Sequence, residues 1–353
     1  MTTASPPFIR PLSLAELLDQ AVSLYRRHFL TLVGIIAIPY IPLGLIQAFF
    51  SYLTTSTTLN ISNSSDPTQL FTSTAYWGGL AGSIIVAILT FILVRGVATA
   101  AITRLVADSY TGQKVGILEA YNKLGSSWAR LLVALLAFGL ITIVAFIWLV
   151  IPCVGWFTGI GIFVFLVLVV SPLIAPVVVL ERQGGFGAFR RAWDLGRSRF
   201  WWLLGFAFVI FLLGQLLVTA PVYLISLVMG MLLGNAQLDP QMLALINTTI
   251  STLMSIATSL LYLPLSITAT TVVYFDLRVR FEGLDLALQA ASETDPQANI
   301  VSLAETTPTG PQGSFITGTN VAYFLLLSLI VVLLYVILFF GLIGLMIPFM
   351  GGF

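Results

Sequence analysis

The stretch GGFGAFRRAWDLGRSRFWWLLG, residues 184–205, sets four arginines among large aromatics between two long apolar runs. On its own it fits a nucleic-acid arm, a catalytic loop or a piece of membrane architecture. Its flanks decide between them. Of the 353 residues 58% are apolar and 8% charged, and the mean hydropathy is +1.04. A soluble domain carries roughly 25% charged residues, so this chain cannot cover a water-facing surface. The expected fold is an all-α integral membrane protein.

A helix needs about 20 mostly apolar residues to cross a bilayer core. Seven stretches qualify, at about 30–53, 76–102, 131–151, 159–180, 201–234, 245–275 and 321–350. The third and fourth are joined by a tight turn around IPCVGWFTG. The fifth and sixth are long enough to tilt or to extend past the membrane, with Pro221 and Pro264 as places to kink. The first apolar run follows a polar segment containing Glu16 and Asp19 and is too long for the core of a signal peptide.

The basic residues orient the spans. Arg10, Arg26 and Arg27 precede the first. Arg95, Arg104, Lys114, Lys123 and Arg130 fall between the second span's inner half and the third. Arg182, Arg190, Arg191, Arg197 and Arg199 lie between the fourth and fifth, and Arg278 and Arg280 follow the sixth. Together these are all 15 Lys and Arg residues, whereas the other side carries only Asp66 and Asp239. The positive-inside rule then places the N-terminus in the cytoplasm of a plasma-membrane protein and the C-terminus outside.

The opening stretch is one of three similar segments. Aligned on Ala21, Ala120 and Ala192, each has an apolar residue three positions earlier (Leu18, Ile117, Phe189) and one later (Val22, Tyr121, Trp193). Another stands eight positions later (Phe29, Trp128, Phe200), with polar residues between. Such spacing puts one apolar face on a helix. The segments leading into or out of these repeats, LVADSYTGQKVGILEAY, VVVLERQGGFGAFRRAW and VVYFDLRVRFEGLDLAL, each follow a span with an acid and then a glycine. The expected architecture is three pseudo-repeats, each an amphipathic interfacial helix plus two spans, followed by one extra C-terminal span. Residues 1–29 form the cytoplasmic segment with the first amphipathic helix, 30–291 the six-span domain, 292–320 a disordered cytoplasmic linker and 321–353 the seventh span. The linker expectation rests on three acids, no bases and Pro/Gly breaks.

In this reading the aromatics of residues 184–205 lie against the acyl boundary. The arginines reach anionic headgroups of the inner leaflet, and a single-strand binding groove would not align its aromatics on one helical face. Membrane lipids are therefore the expected partners, with a protein partner left open and nucleic acid excluded. The external loop 54–74 contains two glycosylation sequons, Asn60-Ile-Ser62 and Asn63-Ser-Ser65, which arise readily by chance in a Ser/Thr-rich loop.

Candidate chemistry is sparse. One cysteine, Cys153, and one histidine, His28, exclude an internal disulfide and most metal or haem schemes, so no cofactor or metal is expected. Arg95 in FILVRGVATAAITRL is the one charged residue well inside a span, where a charge is a functional suspect by default. It is read as a snorkelling arginine near the inner boundary, as an inward-facing ligand for a phosphate or carboxylate, or as a structural pair with a neighbouring helix. Arg104, Arg190, Arg191, Arg197 and Arg199 join it as candidate anion or lipid contacts. The Ser/Thr-rich sixth span offers Asn247, Ser255, Thr258, Ser259 and Thr268 as candidate lining of a polar path, or as residues bonded to their own helix. Gln47 and Gln215 are read the same way. Glu181 and Asp276 end spans and are placed to pair with basic neighbours.

The segments RPLSLAELLDQAVSLYRRHFLTLVG (10–34), YTGQKVGILEAY and YFDLRVRFEGLDL resemble those of bacterial multi-span proteins labelled as the membrane domain of glycerophosphoryl diester phosphodiesterases, over roughly residues 10–290. The resemblance implies the membrane part alone. That family's catalysis belongs to a separate barrel using two histidines and metal-binding carboxylates, and this chain has neither a second histidine nor room for a barrel. The expectation is a non-enzymatic membrane protein that organises lipid or a partner at the cytoplasmic face. The alternative is a permease for a small anionic or lipid-derived substrate, which the pseudo-repeats and proline-interrupted spans favour.

Overall fold

The computed structural model describes residues 11–62, 68–110, 116–233, 239–294, 300–307 and 314–350. Among them there is helix and connecting turn but no strand. Seven helices are long and apolar enough to cross a membrane: Phe29–Ile61, Thr74–Ser109, Ser127–Leu149, Val154–Glu181, Phe200–Leu232, Gln241–Glu282 and Gly318–Gly341. This is the all-α, multi-pass membrane architecture that composition required. The lipid-facing surfaces are bare hydrocarbon, as at Leu140, Val144 and Ile337, which are 66%, 67% and 70% exposed. In water so large a contiguous apolar surface would drive association.

Several helices outrun the apolar segments that announced them. The first continues through the Ser/Thr run expected to be a loop. There Thr54, Thr57 and Thr58 donate their hydroxyls to the carbonyls four residues back, so the side chains find partners within the helix where hydropathy has already fallen. The sequon at Asn60 therefore lies in a helix, and Asn60 accepts a hydrogen bond from Gln241 at 2.6 Å. The second sequon falls outside the described residues. Prolines 39, 42, 176 and 264 sit inside helices without ending them, as neighbouring helices in a membrane protein allow.

The buried core concentrates at one end of the bundle, where Ala98–Ala107, Ile174–Leu180 and Ala269–Val279 pack together beneath the amphipathic helices. That end also holds the buried charges. At the opposite end the third and fourth spans turn through Cys153, whose φ of 62° is left-handed. Trp148 and Trp156 clamp this turn by donating to Thr158 Oγ1 and the Leu149 carbonyl.

The pseudo-repeat has a spatial counterpart. The Ile117–Asn122 helix packs on the first and second spans, and Tyr121 donates to the Ile35 carbonyl at 2.6 Å. The Gly185–Ser198 helix packs on the third and fourth. The Leu14–Arg27 helix packs on the sixth, where Tyr25 donates to the Leu261 carbonyl. Each amphipathic helix thus covers the pair of spans before it, and the first covers the last, so three units close into a ring. The anchor alanines Ala21, Ala120 and Ala192 are all buried, at 1%, 1% and 0% exposure. The capping box at Ser13 and Glu16 starts the first of these helices.

The apolar face of residues 184–205 is not spread on an acyl boundary. Phe189 and Trp193 are buried in protein, against Phe138, Phe165, Phe315 and Phe324. The periodicity located the face correctly and misassigned what covers it, because a protein groove and a lipid boundary ask for the same apolar stripe.

Residues 292–320 also depart from expectation. Their described parts include helix Ile300–Thr306, with Ala304 buried, and Phe315 stacked on Trp193 at 5.0 Å. Trp193 Nε1 and Arg197 hold the Phe315 and Ser314 carbonyls. A composition low in apolar residues concealed a few well-placed anchors; residues 295–299 and 308–313 lie outside the described set. The seventh span docks on the fourth. Gly161 approaches it so closely that an added Cβ would run into the Phe324 carbonyl, and the Gly161 amide donates to Ser328 Oγ at 2.7 Å.

Candidate functional site: an intramembrane cavity at Arg95

A cavity of about 380 Å³ lies between the second, third, fourth, fifth and sixth spans, at the lower end of the roughly 300–1,000 Å³ range of small-molecule sites. Two of its walls are π-helical turns, Phe91–Ala98 in the second span and Leu166–Val170 in the fourth. A π turn inserts a residue into the helical register and recurs at functional sites. Here it carries Val94 and Arg95 on one wall and Val167, Leu168 and Val169 on another. A third π turn, Gln215–Thr219, places Gln215 outside the lining.

Arg95 is exposed and lines the cavity. Among the described residues it makes no hydrogen bond or ion pair. None of the lining residues is acidic. A charge inside a span is a functional suspect by default, and no acidic residue on the cavity wall offsets that of Arg95.

The lining is otherwise apolar with a belt of hydroxyls, most of them already committed. Thr99, Thr103, Thr270 and Thr271 donate to carbonyls of their own helices at 2.8–3.0 Å. Tyr262 donates to the Ile210 carbonyl at 3.2 Å. The hydroxyls of Ser171 and Ser266 have no such commitment among the described residues.

The sixth span does contribute to the cavity, through residues offset from those expected. Thr258, Ser259 and Thr268 are buried but do not line it. Thr258 and Thr268 bond back to Met254 and Pro264, and Ser259 accepts from Tyr40. Ser255 is half-buried and Asn247 exposed, both outside the lining. Ser266, Thr270 and Thr271 take their place, on the face that the packing of the fourth and fifth spans selects. Residue type alone could not select that face.

Beneath the cavity, at the charged end, sits a neutral square of two arginines and two glutamates. Arg191 holds Glu181 at 2.9 Å and Glu282 at 2.5 Å. Arg278 holds Glu181 at 3.0 Å and also pairs with Glu282. Tyr274 adds a 2.8 Å hydrogen bond to Glu181. All four ionic side chains are 8% exposed or less. Burial alone would lower the Arg191 pKa, but its bonds to Glu282 and Glu181 outweigh that and hold it above the ordinary arginine value. Arg278 also donates to the Ala304 and Thr307 carbonyls, tying the 300–307 segment to the sixth span.

The remaining arginines divide. Arg197 pairs with Asp194 and holds the 314–315 backbone, so neither it nor Arg191 faces headgroups as expected. Arg190 lies over the Phe315 ring and 3.8 Å from Asp194. Arg199 stacks 4.5 Å over Trp202, with Asp276 3.8 Å away. Partial burial, together with the neighbouring Arg280, lowers its pKa. Asp276 accepts from the Leu12 amide and Arg280, clamping the N-terminal segment. Arg104 pairs with Asp108, which Lys123 reaches at 3.5 Å. The acids that close the even-numbered spans thus each receive a basic residue or backbone amide from a neighbouring element. Sequence signalled the pairing of Glu181 and Asp276 but not the square, whose Arg191 lies ten residues from Glu181 and whose Arg278 and Glu282 lie nearly a hundred beyond.

Comparison of the chain with protein-family models, with curated proteins and with solved structures gave no match.

Proposed function

We propose that this protein is a permease or carrier of the multi-pass class that binds an anionic, lipid-derived substrate in the Arg95 cavity, between spans arranged as three pseudo-repeats. The observation carrying this reading is the unpaired Arg95 on a cavity wall without an acidic residue. A snorkelling arginine needs neither a cavity nor a π turn to present it. Rigid pseudo-repeats around a central site are also what alternating access uses. The orientation that accompanies this proposal has the charged end, the N-terminus and the amphipathic helices at the cytoplasmic face of the plasma membrane, with the Cys153 turn outside.

The reading as a non-enzymatic organiser of lipid at the cytoplasmic face retains exposed Arg26 and Arg27. It loses Arg191 and Arg197 to internal bonds, and we rank it second. The resemblance to the glycerophosphodiester phosphodiesterase membrane domain agrees with either, since both handle lipid-derived anions without hydrolysing them.

The test is mild extraction of wild-type protein and the Arg95→Ala variant, followed by mass spectrometry of everything that co-purifies. A small anion or lipid present with wild type and lost from the variant supports the carrier reading. A stoichiometric protein partner retained by both, with no such ligand, overturns it in favour of the organiser.

A further inference from the structure

Resting on that reading, the cavity's chemistry narrows its ligand: we propose that the Arg95 cavity takes a single-chain anionic amphiphile, with its carboxylate or phosphate monoester at Arg95 and its alkyl chain between the fifth and sixth spans. Three observations converge on this class.

The first is charge. Arg95 is unpaired among the described residues and the lining holds no acid, so a neutral or cationic ligand would leave the guanidinium unmatched. A planar guanidinium presents two parallel N–H donors, which suit a carboxylate or phosphate.

The second is the shortage of other donors. Four lining threonines and Tyr262 have spent their hydroxyl protons on backbone carbonyls, leaving Ser171 and Ser266. A fully hydrated inorganic anion gives up many hydrogen bonds on entering, and one arginine with two hydroxyls replaces few of them. The charged head of an amphiphile meets the same penalty, but its alkyl chain brings apolar surface whose burial offsets it, which an inorganic anion lacks.

The third is the apolar remainder. Phe206, Ile210, Phe211 and Leu263 line the side formed by the fifth and sixth spans, an apolar surface on which an alkyl chain is kept from water. A volume of about 380 Å³ is on the scale of a single-chain ligand.

The experiment uses full-length protein in nanodiscs of phosphatidylcholine, with hexadecanoate carrying a mid-chain diazirine as the photoreactive probe. Peptide mapping is expected to place adducts within 203–211 and 262–271. Dodecanoate and dodecyl phosphate should compete, whereas dodecanol and inorganic phosphate should not. Arg95→Gln should lower labelling by about tenfold, or about 1.4 kcal/mol. Ala207→Phe, which fills the cavity and leaves Arg95 in place, should abolish labelling while the protein elutes as wild type.

Competition by inorganic phosphate as strong as that by dodecyl phosphate would overturn the amphiphile and leave an anion cavity standing. Equal competition by dodecanol, with Arg95→Gln labelled like wild type, would overturn both this inference and the carrier reading. Adducts confined to other spans would do the same.

Discussion

Removing Arg278 should destabilise the protein far more than removing a surface arginine. In Arg278→Met, Arg191 is the one arginine of the square left facing both Glu181 and Glu282, and the square changes from neutral to a net charge of −1 at a site where each remaining ionic side chain is 8% exposed or less. Breaking a buried pair from one side typically costs 3–5 kcal/mol, or about that here, because it strands the other charge. The loss also frees the Ala304 and Thr307 carbonyls that Arg278 holds. The diagnostic variant is the double substitution Arg278→Met with Glu181→Gln. It leaves Arg191 and Glu282, 2.5 Å apart, as a balanced pair. The double variant should therefore be less destabilised than the sum of the singles, by about 1–3 kcal/mol of coupling. Thermal unfolding in detergent, followed by the loss of the monodisperse peak in size-exclusion chromatography, reads all four proteins on one scale. Strict additivity of the singles, or a cost for Arg278→Met no larger than the 0–1 kcal/mol of an exposed pair, would refute the account of a charge-balanced square.

Four further outcomes follow from the same structure. Trp193→Ala removes the stack on Phe315 and the bond to its carbonyl, and should cost about 3–5 kcal/mol; faster proteolysis between 307 and 318 checks it. Gly161→Leu places a side chain against the Phe324 carbonyl and should raise hydrogen exchange along Gly318–Gly341 without altering exchange in the first and second spans. The exposed native Cys153 should react with a membrane-impermeant maleimide in intact cells, and protection until the cells are lysed would reverse the proposed orientation. The Glu119–Lys123 pair should hold the Ile117–Asn122 helix unchanged between roughly pH 5 and pH 10. The Lys123 hydrogen bond lowers the Glu119 pKa, so that contribution is present above the unfolded carboxylate value and is lost as pH falls through the folded one. Glu119 raises the Lys123 pKa, so its contribution is present below the unfolded lysine value and is lost as pH rises through the folded one. Hydrogen exchange of residues 117–123 across pH reads both limits.

The spans were legible because hydrocarbon imposes a length and a composition on every helix that crosses it. All seven appear, and the first runs on past its apolar stretch through Thr54–Thr58, whose hydroxyls bond back to the helix where hydropathy has already fallen. The ring of three units was legible in part from Ala21, Ala120 and Ala192, which are buried as their alignment required. What covers each amphipathic face was not, because Phe189 and Trp193 would satisfy lipid as well as Phe165 and Phe315 do. Arg95 stood out from its isolation in an apolar run. Its cavity did not, since the π turn that presents it and the choice of Ser266, Thr270 and Thr271 over Thr258 and Thr268 depend on packing between distant spans. Arg191 and Arg197 looked like headgroup ligands for the same reason: their partners, Glu282 and the Ser314 carbonyl, are remote in sequence.

The central claim is that Arg95 faces a ligand and not the headgroup layer. A single-particle structure of the wild-type protein in native-lipid nanodiscs tests it most directly. The account predicts an elongated non-protein density running from the Arg95 guanidinium past Phe206 and Phe211. An empty or collapsed cavity, with Arg95 extended into the headgroup density of the surrounding bilayer, would contradict it.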